Sequence, residues 1–276
     1  MVASIYALVS SIIWGTADYL GGRLTRTRSS LAVTGGSQPF GLIAALISVA
    51  LFGSWTYSSQ VAISGIAAGA LGLTGLLAFY TALATGRMGI VSPISSTGVI
   101  IPFGIGILSG DSPHPIQLVG VIVTIAGVIL ASGPEVSGGA PIRPVLLAVY
   151  ASFSFGICVY FMSTGGAVNA GMTVVTMRIT QVTIMLTVAL ILRSRGGLQR
   201  SDIPMLVAIG ATDAIANVIY AVAAGMGMLS IVSVLGSLFP VVTVLLAWIF
   251  DKERLLAVQY VGIGIAICGV AAITAG

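Results

Sequence analysis

Charge is what this chain has least of. Only 7% of its 276 residues are charged, 11 basic and 7 acidic, where an ordinary soluble domain carries roughly 25%. So few charges cannot cover a water-facing surface of that size, which excludes a soluble globular protein. Histidine occurs once, as His114 in the connection DSPHP, where an exposed turn residue is expected. Cysteine occurs twice, as Cys158 and Cys268, each inside an apolar stretch. These residues make neither a disulfide framework nor a metal-ligand spacing, so no metal is expected. No HExxH, GxSxG or Walker-type phosphate loop is present. That argues against an enzyme and against direct drive by ATP, and leaves no cofactor to expect and no catalytic residue to name. The basic excess does not combine with stacking aromatics on a polar face, so nucleic acid is not an expected partner.

Apolar sequence is what the chain has in abundance. Hydrophobic residues make up 57% of it, with a mean hydropathy of +1.13. A membrane-spanning helix needs about 20 mainly apolar residues. Ten such stretches are found, near 3–21, 32–53, 61–84, 89–109, 115–133, 143–163, 172–192, 203–224, 230–250 and 256–274. The first is too apolar, and too well matched later in the chain, to be a cleaved signal peptide. The expected fold is therefore an all-α integral membrane protein with ten transmembrane helices.

Those stretches come in two matching sets. YALVSSIIWGTADYLGG, from Tyr6 to Gly22, places Ser11, Gly15 and Tyr19 opposite Ser152, Gly156 and Tyr160, all three pairs at one constant sequence offset. Ile90-Val91-Ser92 returns as Ile231-Val232-Ser233 at that same offset. After a one-residue slip, QLVGVIVTIAGV from Gln117 meets QYVGIGIAICGV from Gln259, with six of twelve positions identical. Residues 1–133 and 143–276 read as two five-helix repeats joined by a Gly-, Pro- and Ser-rich linker, 134–142. Duplication of this kind points to a transporter.

Five crossings per repeat is an odd number, so the repeats must be inverted. Charge placement tests this independently. Arg23, Arg26, Arg28, Arg87, Arg143, Arg193, Arg195, Arg200, Lys252 and Arg254 all fall in loops after odd-numbered stretches; only Arg178 lies within one. The positive-inside rule puts those loops in the cytoplasm and both termini outside, for a multi-pass protein of the cytoplasmic (plasma) membrane.

Trp14-Gly15, YTALATG at 80–86 and SLFPVVTVLLAWIFDKERLLAVQYVGIGIAICGV at 237–270 together resemble the EamA-type transporters of the drug/metabolite transporter superfamily. Pro240, Glu253 and the Gln-x-x-Gly start of the last stretch belong to that resemblance. It covers essentially the whole chain and implies a ten-helix permease with a central cavity between repeats, working by alternating access. Two features depart from the pattern. Asp111, within GDSPHP, stands where relatives carry their acidic residue after the fourth stretch, and that stretch has Pro93 and Pro102 but no proline matching Pro240. Many relatives are also drawn with both termini in the cytoplasm, opposite to the charge count here.

Ionisable residues inside hydrocarbon cost about 2.5–3.5 kcal/mol each, so they are expected to face a partner or a cavity. Asp213 lies at the middle of the eighth stretch, with Asn217 and Tyr220 following on one helix face. They would bind a polar solute, pass a proton, or form a polar network locking helices together. Arg178, with Gln181 one turn on, must meet an anion because its charge is permanent. It would pair with Asp213 or Asp18, clamp an anionic substrate, or snorkel to the interface. Asp18 is either the partner of Arg23 or a proton site, and Trp14, one turn earlier, would form a cavity wall or pack against lipid. Ser92, Ser95, Ser96, Thr97, Ser233 and Ser237 repeat at matching places and would line a polar path or satisfy backbone carbonyls. Asp213, Asn217, Tyr220, Arg178, Gln181, Asp18 and Trp14 are thus the candidate substrate- and proton-binding residues.

The function expected is secondary-active transport of a small polar metabolite or drug, coupled to protons through Asp213 or Asp18. A uniporter or channel-like facilitator and a lipid-carrier flippase are the alternatives. The partners are the small-molecule substrate, membrane lipid and protons. A monomer is expected, because two fused repeats already complete one inverted pair.

Overall fold

The computed structural model describes residues 1–85, 91, 94–131, 142–192, 197–252 and 256–275. Arg87, Arg193, Arg195, Glu253, Arg254, Ser92, Pro93 and all of the linker except Ile142 lie outside the described residues. Every regular element among the described residues is helical: α1 (Val2–Thr25), α2 (Ser30–Phe52), α3 (Ser59–Thr85), α4 (Ile100–Leu108), α5 (Pro115–Ala131), α6 (Ile142–Leu192), α7 (Ile203–Met226), α8 (Leu229–Gly236), α9 (Phe239–Phe250) and α10 (Ala257–Ala275). Six helical segments are long and apolar enough to cross a membrane: Ser30–Phe52, Ser59–Thr85, Ile142–Leu192, Arg200–Met226, Leu229–Phe250 and Ala257–Ala275. Ile94–Leu108 and Pro115–Ala131 are shorter apolar helices. α1 has the length but carries Ser10, Ser11, Thr16 and Asp18. The chain is a multi-pass, all-helical membrane protein.

Local chemistry explains where the helices start and break. Ser29 caps α2 by accepting the Ala32 N–H at 3.2 Å, and Ser58 does the same for Val61 at the start of α3. The stretch expected at 230–250 is two helices, α8 and α9, meeting at Ser237 and Leu238. Pro240 has no N–H to donate to the Gly236 carbonyl, so the turn before it cannot close as α-helix. Its counterpart in the first repeat breaks at the equivalent place, in a 3₁₀ turn over Thr97–Val99.

The stretches expected at 143–163 and 172–192 are two helical arms that abut at a kink without a loop between them, numbered together as α6. At 51 residues it would be about 77 Å long if straight, more than twice the hydrocarbon thickness. It breaks at Asn169, whose φ of −158° and ψ of 100° are extended rather than helical. The Asn169 amide donates to the Ser54 and Thr56 carbonyls at 2.9 and 3.2 Å, and its side-chain oxygen caps Met172 at 3.0 Å.

The packing is inverted relative to a soluble protein. Ile43, Ile47, Leu51, Ile63, Leu186, Leu190 and Ile267 are exposed, while Arg178, Gln38, Gln181, Asn217 and Ser10 are buried. Cross-links at the two ends differ in kind. At one end Arg28 pairs with Asp202 at 2.8 Å, and Arg23 and Arg26 both approach Asp251 at 3.8 Å. At the other end, besides the Asn169 ties, the Asp111 carboxylate accepts the Ser230 N–H at 2.8 Å.

Contacts in one half recur in the other at the repeat offset. A Cβ on Gly15 would lie 2.6 Å from Phe239 O and Val242, while one on its repeat counterpart Gly156 would meet Gly98 O and Ile101. Phe239 and Val242 stand to Gly98 and Ile101 at that same offset. α5 and α10 pack against each other through matched glutamines. Gln117 accepts the His114 N–H and donates to Ile273 O at 3.4 Å; Gln259 accepts the Leu256 N–H and donates to Ala131 O at 3.3 Å.

Candidate functional site

The charged residues of the interior converge from three helices. Arg178, in the second arm of α6, is completely buried, with 0% of its surface exposed. One terminal nitrogen donates to Asp213 Oδ2 on α7 at 2.7 Å. The other donates to Gln38 Oε1 on α2 at 2.7 Å and to Gln181 Oε1 at 3.1 Å. Of the readings open for Arg178, snorkelling is excluded by this burial, and its anionic partner is Asp213 rather than Asp18. A buried, multiply bonded pair of this kind typically costs about 3–5 kcal/mol to break by removing one member.

Asp213 is held from its own helix as well. The Asn217 amide donates to the Asp213 carbonyl at 2.7 Å and lies 3.3 Å from its Oδ1. Tyr220 does not join them, although it shares their helix stripe. Its ring packs on Trp14 with centroids 5.2 Å apart, and its buried hydroxyl has no partner among the described residues.

Asp18 is not the partner of Arg23. Arg23 turns to Asp251 and to the Tyr19 hydroxyl, which itself donates to Asp251 Oδ1 at 3.0 Å. Asp18 faces inward, and among the described residues its carboxyl has no hydrogen-bond or ion-pair partner.

These groups surround a cavity of about 100 Å³. Its polar wall is Asp18, Asp213, Asn217 and Gln181; its apolar wall includes Trp14, Phe155, Met162, Met177 and Phe239. The lining follows the duplication. Trp14 and Phe155, Asp18 and Val159, Gly72 and Asp213, and Leu76 and Asn217 are repeat counterparts at the constant offset, and all eight line the cavity. In three of the four pairs a polar residue stands opposite an apolar or side-chain-free one.

A second cavity of about 50 Å³ adjoins the first, sharing Trp14, Phe155, Val159 and Phe239 as a common wall. Ser95, Ser96, Ser233, Ser237 and Tyr220 line it. The buried hydroxyls of Ser95 and Tyr220 both lack partners among the described residues, so this space suits ordered water. Thr97 instead bonds the Ile94 carbonyl and Ser152. Ser92 lies outside the described residues. A larger cleft of about 480 Å³ runs along α2 and the second arm of α6, and among the described residues Ser29 is its one polar lining side chain.

Cavity formation thus brings together Trp14, Asp18, Gln181, Asp213 and Asn217, supports them with Arg178 from behind, and places Tyr220 next door. Sequence reasoning missed Gln38, Phe155 and Phe239. Gln38 carried a signal, as a carboxamide inside an apolar stretch, and Phe155 carried one as the repeat counterpart of Trp14.

No curated protein matches the chain by sequence. A solved structure described only as a crystal structure of a protein matches with a TM-score of 0.81 at 16% identity, over 99% of this chain and 96% of that one. At that identity the likeness concerns the fold alone. The model of the EamA-like transporter family matches twice, on residues 1–133 and on residues 142–275. With matches that span nearly the whole chain, this helical membrane protein belongs to the EamA-like transporter family.

Proposed function

We propose that the chain is a secondary-active transporter that carries a small polar metabolite or drug across the cytoplasmic membrane by alternating access, coupled to protons. Its ten crossings form two inverted five-helix halves, and it works as a monomer. The observation that carries this reading is the cavity between the halves, with two carboxylates on its wall and a buried arginine fixing one of them. Family membership supports transport as the activity. The recurrence of the Gly15 contact at Gly156, and of the Gln117 bonds at Gln259, supports the inverted duplication. Pairing of α5 with α10 supports the monomer, because each covers the face that an isolated half would leave open.

The proton site in this reading is Asp18. Asp213 is ion-paired with a permanently charged guanidinium, whereas Asp18 has no such partner among the described residues. Trp14, Phe155 and Phe239 separate the main cavity from the hydroxyl-lined one. Movement of this aromatic wall would open a path to the end that carries Asp111.

The test is flux in proteoliposomes with a pH-sensitive dye inside. Amino acids, nucleosides, organic acids and organic amines are added outside in turn. A saturable, dye-detected proton flux evoked by one class, and absent from protein-free vesicles, is the expected result. Flux that rises linearly without saturation would identify a channel, and no flux with any class would overturn solute transport.

A further inference from the structure

The charges on the cavity wall do not cancel. Arg178 is the cation nearest the cavity among the described residues, and both of its terminal nitrogens are engaged, by Asp213, Gln38 and Gln181. Its Nε–H has no partner among the described residues, but it lies beside Gly41 and Arg178 is not on the cavity wall, so it offers no donor there to a solute. Arg178 and Asp213 together are neutral, so an ionised Asp18 leaves the cavity with one uncompensated negative charge.

The surroundings of Asp18 bring nothing to offset it. α7 supplies Asp213, which repels it, and the second arm of α6 supplies Arg178, already paired. The first arm supplies Cys158, α3 supplies Tyr80, and α9 supplies the uncharged Phe239. An unpaired carboxylate on the wall of a mostly apolar cavity is costly. Two species relieve that cost, a proton or a cation.

The remaining wall favours the cation. Trp14, Phe155 and Phe239 offer aromatic faces, and Met162 and Met177 offer polarisable thioethers. Acceptors are also in surplus. Asp213 keeps 25% of its side chain accessible, and the Asn217 oxygen is left over once its amide has bonded to Asp213.

We infer that the cavity binds a small organic monocation, an amine on an apolar or aromatic body, whose ammonium and a proton exclude each other at Asp18. The inference rests on the proposed transport function and deepens it by naming the substrate class. Exclusive occupancy of one carboxylate makes the exchange electroneutral: the amine leaves as a proton arrives. An anion would meet Asp18 unshielded, and a zwitterion would find no free cation for its carboxylate.

The test is calorimetric titration of the detergent-purified protein with four probes of similar shape and different charge: phenethylamine, phenylalanine, hydrocinnamate and phenethyl alcohol. Phenethylamine is expected to bind at least about tenfold more tightly than the others and to release protons to the buffer. Its apparent affinity should weaken by up to about tenfold per pH unit on acidification through the titration of Asp18. Asp18→Asn should lose at least about tenfold in amine affinity and the proton release. A preference for phenylalanine or hydrocinnamate, binding of none of the four, or unchanged amine affinity in a folded Asp18→Asn would each overturn the inference. The charge preference and proton release of the unaltered protein decide the matter even if that variant fails to fold. An amine that binds but evokes no proton flux in proteoliposomes would sink the transport function and leave this site standing. Saturable flux of a zwitterion without amine binding would do the reverse.

Discussion

Asp18 and Val159 occupy equivalent positions in the two repeats and line the same cavity, one with a carboxylate and the other with an isopropyl group. The same one-sidedness holds for Asp213 and Gly72, and for Asn217 and Leu76. Positions related by the sequence offset thus line one cavity, and its acidic and amide side chains come from one member of each pair. A second acid at Val159 would add a third carboxyl to a wall that already holds Asp18 and Asp213.

From this follows the behaviour of Asp18→Asn. The substitution keeps the shape and removes the titratable proton, so proton-coupled flux should fall to the level of empty vesicles. The melting temperature should move by only a few degrees, because no partner among the described residues is lost. Proteoliposome flux and thermal unfolding, measured on the same preparation, check both halves of the expectation.

Arg178 and Asp213 should behave oppositely, as structure before function. Arg178→Met and Asp213→Asn each leave a buried or half-buried charge without its partner, at a cost of about 3–5 kcal/mol. The double variant should cost clearly less than the two singles combined, since no orphan charge remains. Unfolding midpoints of the four proteins test this, and simple additivity would show that the pair is not coupled.

Close approach at Gly15 and Gly156 makes a paired prediction. Alanine at either position forces a methyl into Phe239 and Val242, or into Gly98 and Ile101, and should destabilise by about 1–3 kcal/mol. Gly22→Ala, also in α1, meets nothing within 4 Å and should be neutral or stabilising by up to about 1 kcal/mol. Thermal unfolding of the three variants separates packing from helix propensity.

Orientation is open to a direct reading. The end that carries Arg23, Arg26 and Arg28 should face the cytoplasm. A C-terminal alkaline phosphatase fusion should then be active and a fluorescent-protein fusion dark. The reverse pattern would invert the assignment while leaving the fold untouched.

Helix breaks illustrate what could be read in advance. Pro240 announces the turn between α8 and α9 by its missing N–H. Asn169 announces nothing. The sequence around it suggests a loop of several residues, yet helix continues through Gly165 and Gly166 until one residue turns the chain. Its partners, Ser54 and Thr56, lie far away in sequence, in a loop that only folding brings near.

By itself, the sequence determined the solvent, the helical class and the likeness of its two halves to one another. Those depend on composition and on spacing along the chain, and hydrocarbon leaves a helix as the way to satisfy the backbone within one segment. It also determined that Asp18, Arg178 and Asp213 need a reason to be where they are. Only the tertiary structure decided that Arg178 belongs to Asp213, that Arg23 belongs to Asp251, and that Asp18 has no partner among the described residues. Which acid meets which base depends on how helices far apart in sequence rotate and pack against one another, and local periodicity fixes a residue's face without naming what that face will meet.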